Sequence, residues 1–236
     1  EQAFQKGVHT LIEKPIAASL IDAQKIARLA QEARVITFIG HVERYNAAFQ
    51  KLLEITEGKE PPLTVDAWRL GPAIARATDV SVILDLMIHD VDLFFAVTKG
   101  IIEHISAQAL KIYAQTSDYA SARLVTSDKT IGNFIASKIT PWRERRLTVT
   151  YKDAGYEVDF MTNSLVKKQV DPASDPMRPE IWEEKIEIIP AEPLYAEISA
   201  FIQAVQQKLP PLLNADFGVK VLDVALKIEQ ASTSSR

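Results

Sequence analysis

The sequence predicts an α/β chain of two unlike parts, residues 1–45 and residues 46–236, and three stretches predict it. Residues 8–39 hold two short β-branched runs separated by one amphipathic helix, the pattern of a strand–helix–strand unit with parallel strands and a right-handed crossover. Beyond Gly100, six runs of strand type follow one another with short breaks and no helix between them, which indicates an antiparallel or mixed sheet. Between the two lies Ile-Leu-Asp-Leu-Met-Ile-His-Asp-Val-Asp-Leu-Phe-Phe, residues 83–95. Its apolar side chains cover almost the whole circumference of a helix, as in a helix buried within a large protein.

The first seven residues resemble the last turns of a helix closing at Gly7, so the chain is expected to start inside a domain. A strand at 8–12 ends in Glu13-Lys14-Pro15, where proline keeps Lys14 out of a helix. The helix over 19–33 has Ser19 as its cap, Asp22 three residues on, and Leu20, Ala23, Ile26, Ala27 and Ala30 on one face. The second strand, 35–39, is closed by Gly40. A helix at 46–56, a strand at 63–70 and a loop at 71–81 carrying Arg76 lead into the apolar helix. Strands are expected at 104–113, 119–126, 130–139, 146–151, 156–160 and 185–189, with the proline-rich 171–179 an exposed loop. Two helices finish the chain. Over 193–207, Leu194, Ile198, Phe201, Ile202 and Val205 are expected to face inward; over 216–231, Val219, Leu222, Val224, Ala225, Leu226 and Ile228.

Composition narrows the function classes. The chain has 236 residues, 47% of them hydrophobic, enough for a sizeable core. A net charge of −4 and a pI near 5.7, with no basic stripe, argue against nucleic acid as a partner. The absence of cysteine excludes disulfides, thiolate metal sites and cysteine nucleophiles. No run has the apolar length of a membrane span and no signal-peptide pattern is visible, so no membrane partner and a cytoplasmic location are expected.

Chemistry gathers in three places. On the apolar helix Asp85 and His89 are four apart and His89 and Asp92 three apart, which puts all three on one side. Buried groups of this kind form either a satisfied network or a working site. The spacing also permits a metal, but with four histidines in the chain and no second one nearby, none is expected. Ligands of parallel sheets bind at the carboxyl ends of the strands, which places Glu13, Lys14, His41 and Arg44 at the ligand edge. A lysine partly desolvated there has a lowered pKa and either orients a hydroxyl or transfers its proton. In His41-Val-Glu-Arg-Tyr-Asn46, Asn46 reads as the next helix cap and Tyr45 as a hydrophobic staple, while the Arg44 guanidinium suits a phosphate or carboxylate. Arg69 and Arg76 either add to such an anion site or belong to a solvated loop. Trp142, Arg143, Arg145 and Arg146 read as a solvated face.

Three stretches, Gly7-Val-His-Thr-Leu-Ile-Glu-Lys-Pro15, Gly40-His-Val-Glu-Arg-Tyr-Asn46 and Asp85-Leu-Met-Ile-His-Asp-Val-Asp92, resemble in order and context the Gfo/Idh/MocA oxidoreductases. The resemblance implies an NAD(P)-dependent enzyme of sugars or related polyols. Its two parts are then the remnant of a Rossmann dinucleotide-binding domain and a substrate domain with an open, predominantly antiparallel sheet through which a homo-oligomer, a dimer or tetramer, forms. The last helix is then placed to pack back on the Rossmann part. The resemblance further implies Lys14 and His89 as the catalytic pair and Asp85 as their companion. Pro15 is then cis, and Glu13, Lys14, Pro15 and Arg44 lie on the cofactor. Arg44, Tyr45, Asn46, Arg76, Asp85 and His89 face the substrate, and the variants present look most like a branch acting on nucleotide sugars. One departure is large: none of the eight glycines lies within two positions of another, so no Gly-x-Gly-x-x-Gly turn exists. At the length of such units, about 80 to 100 upstream residues are expected, without which the chain would not bind NAD by itself. The other reading is a sugar-sensing or partner-binding protein of the same fold without catalysis.

Overall fold

A parallel pair opens the fold: β1 (Thr10–Glu13) lies beside β2 (Thr37–Gly40), with Glu13 opposite Gly40 at their carboxyl ends. The computed structural model describes residues 1–72 and 79–233, so Arg76 lies outside the described residues. Ahead of the pair, α1 (Gln2–Gln5) ends at Gly7, whose φ of +67° is the left-handed conformation that favours glycine. The crossover is α2 (Leu20–Glu32), capped as its sequence predicts by Ser19, whose Oγ accepts from the Asp22 N–H at 3.1 Å.

After a short 3-10 turn, Val42–Tyr45, Asn46 caps α3 (Ala47–Thr56): its Oδ1 accepts from the N–H groups of Ala48 and Phe49. Tyr45 is no staple. The residue it would clamp in the first turn of α3 is Gln50, which is polar and exposed, and the Tyr45 ring packs on Phe38 instead, at 6.1 Å between centroids.

The second sheet has eight strands: β3 (Thr64–Leu70), β4 (Ile102–Leu110), β5 (Tyr119–Thr126), β6 (Ile131–Ser137), β7 (Glu144–Thr150), β8 (Gly155–Asp159), β9 (Ser164–Val170) and β10 (Ile181–Ile186). Their order is β10-β9-β8-β7-β3-β6-β5-β4, antiparallel throughout except for the central β3–β6 pair, which is parallel. Strict alternation along β3, β5 and β8 turns Val65, Ala67, Ala120, Ala122, Leu124, Tyr156 and Val158 to the covered face. Two strands depart from expectation. Strand β9 was not anticipated, because Lys167-Lys168-Gln169 breaks the apolar alternation that marks a half-buried strand. Its neighbour β10 starts four residues earlier than predicted, on an edge whose side chains are almost all exposed.

The apolar helix is not one α-helix. Ile83–Met87 is a π-helical turn that runs into α4 (Ile88–Val97). Ile83, Met87, Ile88, Val91, Leu93 and Phe94 are fully buried and form the centre of the core against α3 and the sheet. Helix α6 (Ala215–Thr233) returns to the parallel pair, where Gly218 lies so close that a Cβ would sit 2.8 Å from Ile39 Cγ1. Helix α5 (Pro193–Gln207) is turned from its expected face: Leu194, Ile198 and Ile202 are exposed, Phe201 and Val205 stay partly buried as expected, with Phe201 edge-on to Phe38, and Glu197, one turn before Phe201, is buried completely. Apolar periodicity misassigns this face because its most buried side chain is a carboxyl.

Candidate active site

Strand β1 delivers Glu13, exposed at its carboxyl end, and then Lys14, whose peptide to Pro15 is cis. Lys14 turns onto the π-helical turn: its Nζ donates to the backbone carbonyl of Asp85 at 2.6 Å and stands 3.7 Å from Asp85 Oδ1. The other carboxylate oxygen, Oδ2, is 2.9 Å from Nζ of Lys138, which follows β6 directly. Asp85 thus lies between two ammonium groups. Burial lowers the Lys14 pKa, with Asp85 opposing the shift and Arg69 adding to it.

Two residues past the π segment, in the first turn of α4, His89 is half-buried, with Nδ1 shielded from water and without a hydrogen-bond partner. Burial, reinforced by Arg69, Lys14, His41 and Arg145, pushes its pKa far below the ordinary imidazole value, so it is neutral at neutral pH. The hydrogen bond from Lys14 to the Asp85 carbonyl brings the carboxyl end of β1 onto the buried helix, four residues before His89.

Asp92 does not join this group. The π turn and the helix after it carry Asp92 to Arg44, which donates Nε to Oδ2 at 3.1 Å and Nη2 to Oδ1 at 2.8 Å and to the Asp92 carbonyl at 2.8 Å. Both side chains are buried, and the guanidinium covers the Phe217 ring at 5.2 Å. Arg44 is therefore placed as a core ion pair, with the edge that would clasp an anion already taken. Arg69 is likewise internal, gripping Asp90 through Nε and Nη2 and Glu43 through Nη1 at 2.7 Å. Asn46 is used by its cap and His41 is 1% exposed. Of the residues the sequence singled out, Lys14, Asp85 and His89 are brought together, with Glu13 and Pro15 at the same strand end.

The structure adds residues that the sequence reading passed over. A cavity of about 320 Å³ opens beside Asp85, with Lys138, Arg143, Arg145, Gly71 and Pro72 in its wall. Strand β3 and strand β6 run parallel there, so their carboxyl ends share one edge and Lys138 occupies the position at which sheets hold ligands. A larger hollow of about 590 Å³ lies against the end of α6, lined by Lys111, Ser117 and Glu229, without Lys14, Asp85 or His89. Among the described residues no three His, Asp or Glu side chains are grouped to hold a metal ion, and no helix is long and apolar enough to cross a membrane.

Behind the site Glu197 is fully buried and neither carboxylate oxygen has a partner. Burial, then the charges of Glu13 and Asp92, raise its pKa to about 7, and Tyr45 beside it is pushed up to about 12 by burial first and Glu197 next. The folded chain therefore keeps a proton that the unfolded chain has released. Stability contributed by Glu197 is complete below the ordinary glutamate range and is lost as pH rises towards about 7. The loss is about 3 kcal/mol. Thermal melts across that window should show Glu197→Gln flattening the decline and exceeding the parent in stability at neutral pH; an unchanged slope would contradict the assignment.

Residues 38–157 match the family described as GFO/IDH/MocA C-terminal domain, and residues 1–41 match the oxidoreductase family with an NAD-binding Rossmann fold. The chain is 33% identical over 233 residues to UDP-N-acetylglucosamine 3-dehydrogenase of Acidithiobacillus ferrooxidans, covering 98% of this chain and 73% of that protein. A solved structure of that dehydrogenase superposes with a TM-score of 0.92 at 31% identity, over 100% of this chain and 75% of the other. The chain is also similar, at 24% identity over 254 residues, to 1,5-anhydro-D-fructose reductase of Ensifer adhaerens, covering 99% of this chain and 73% of the other.

Proposed function

Because this chain belongs to the Gfo/Idh/MocA oxidoreductase family, we propose that the full-length protein, in which this chain is joined to a glycine-rich cofactor turn, transfers a hydride between a secondary hydroxyl of a sugar, specifically a nucleotide sugar, and NAD or NADP. The observation that carries the reading is Asp85 shared between Lys14 and Lys138, with the neutral imidazole of His89 on the next helical turn. Glu13, Lys14 and Pro15, at the open carboxyl end of β1, fit the nicotinamide end of such a cofactor: an exposed carboxylate and a partly buried ammonium stand there together. The bound nicotinamide would supply the hydride acceptor.

Every other part of the reaction falls to the chain. Oxidising an alcohol releases a hydroxyl proton, and an effective acceptor has a pKa near the working pH. Burial moves Lys14 down towards that range, whereas His89, held far below its ordinary value, is a weak base. Lys14 therefore takes the proton, His89 hydrogen-bonds the same oxygen, and Asp85 fixes the lysine. Arg143 and Arg145, in the wall of the cavity that adjoins Asp85, are suited to the diphosphate of a nucleotide sugar. The protein assembles through the uncovered face of the eight-stranded sheet, where Arg123 is exposed and Trp68, Asn133 and Ile135 are half-exposed; a single monomeric species in sedimentation would contradict this.

The test is reduction of nicotinamide, followed by absorbance, with UDP-sugars and with the matching free sugars. Arg143→Ala and Arg145→Ala should each raise KM for the UDP-sugar about tenfold with little change in kcat, the loss of one charge-assisted contact. Binding of the sugar without any nicotinamide reduction would replace this reading with a sensing role.

A further inference from the structure

We propose that Lys138 is a positioning residue of this site, holding one oxygen of Asp85 so that the carboxylate faces Lys14 without closing on it. The proposal rests on the assignment of Lys14 and Asp85 to the reaction. Lys138 is fixed at both ends. Its backbone N–H donates to the Asp118 carbonyl at 2.7 Å, and its Nζ donates to the Val80 carbonyl at 2.9 Å while standing 2.9 Å from Asp85 Oδ2. The side chain is 15% exposed, so this geometry is that of a seated group and not of a waving surface lysine.

Lys14 holds the same residue differently. Its hydrogen bond goes to the Asp85 carbonyl, and the 3.7 Å to Oδ1 lies beyond hydrogen-bond range. The two ammonium groups are therefore unequal: the carboxylate is bonded to Lys138 and only attracts Lys14. Released from Lys138, the carboxylate has, among the described residues, one cation left within salt-bridge distance. Closing on Lys14 would form a short charge-assisted bond, favouring the ammonium over the amine and occupying the Nζ that the substrate needs. The other charged groups acting on Lys14 are Arg69, which pushes its pKa down, and Glu13, which raises it; His89 and His41 are both held neutral beside it. None of these touches Asp85 Oδ2 within salt-bridge distance, and among the described residues the ion pair to that oxygen is the one from Lys138.

Competitive acetylation with acetic anhydride over a pH series, read by mass spectrometry on the peptide containing Lys14, reports that amine's own titration. It needs neither sugar nor nicotinamide, so it succeeds or fails independently of the turnover assay. Lys138→Met should move the Lys14 titration upward by about one pH unit, and Lys138→Arg should leave it in place. In an Asp85→Asn background, Lys138→Met should have no further effect on Lys14. Lys138→Gln, which keeps a donor for the Val80 carbonyl, gives the same reading should Lys138→Met unfold. A Lys14 titration unmoved or lowered by loss of the Lys138 charge, or a full upward shift that persists in Asp85→Asn, would overturn the proposal.

Discussion

Lys14→Arg should lower kcat/KM by about three orders of magnitude although it preserves the positive charge, because a guanidinium does not give up its proton at any working pH. In the reading above, the amine of Lys14 is the acceptor of the hydroxyl proton, and only the deprotonated form works. The activity of the parent should therefore rise with pH through the Lys14 pKa, which burial sets below the ordinary lysine value, and that ascending limb should be missing from Lys14→Arg. His89→Ala should cost about two orders of magnitude, because it removes a hydrogen bond to the reacting oxygen and leaves the acceptor in place. Steady-state kinetics across pH, with cofactor Kd as the control, check both. Retained turnover in Lys14→Arg would transfer the proton to another group.

Asp92→Ala should destabilise the fold by about 3 to 5 kcal/mol, the cost of leaving a buried guanidinium without its partner. Arg44 has three hydrogen bonds to Asp92 and is 5% exposed, so water cannot take over the role of the lost carboxylate. Replacing both residues by apolar ones of similar size, as in Arg44→Met with Asp92→Leu, should recover most of the loss, since the desolvation of both charges is removed together. Urea unfolding midpoints check this. A loss below about 1 kcal/mol in Asp92→Ala would mean that the guanidinium has another outlet, and would return Arg44 to consideration as an anion ligand.

The parallel pair and its crossover were legible because their signals are local: β-branched runs, a serine cap at Ser19, a glycine at each end of the unit. Asn46 was legible as a cap for the same reason. The buried helix was legible as buried but not in its phase. A segment apolar on every side carries no hydrophobic direction from which to tell which acid points where, and the π turn at Ile83–Met87 shifts the spacing further. The pairing of Asp85 with Lys14 came from the family resemblance rather than from the helix pattern, which grouped Asp92 with Asp85 and overlooked Asp90, the partner of Arg69. Lys138 was hidden for a different reason. It gains meaning from the parallel pairing of β3 with β6, strands separated by some sixty residues, and no local pattern announces a parallel pair within an otherwise antiparallel sheet. Arg143 and Arg145 were passed over as a solvated cluster, since proximity to Asp85 is a tertiary fact.

The family, the fold and the meeting of Lys14 with Asp85 stand on the chain itself, and the chemistry built on them reduces to one event at one carbon. A nucleotide sugar deuterated at its reacting carbinol position, incubated with the cofactor-loaded enzyme, should yield reduced nicotinamide carrying the label at C4 in stoichiometric amount, and Lys14→Arg should abolish its appearance. Tight binding of that sugar with no label in the nicotinamide would contradict the account.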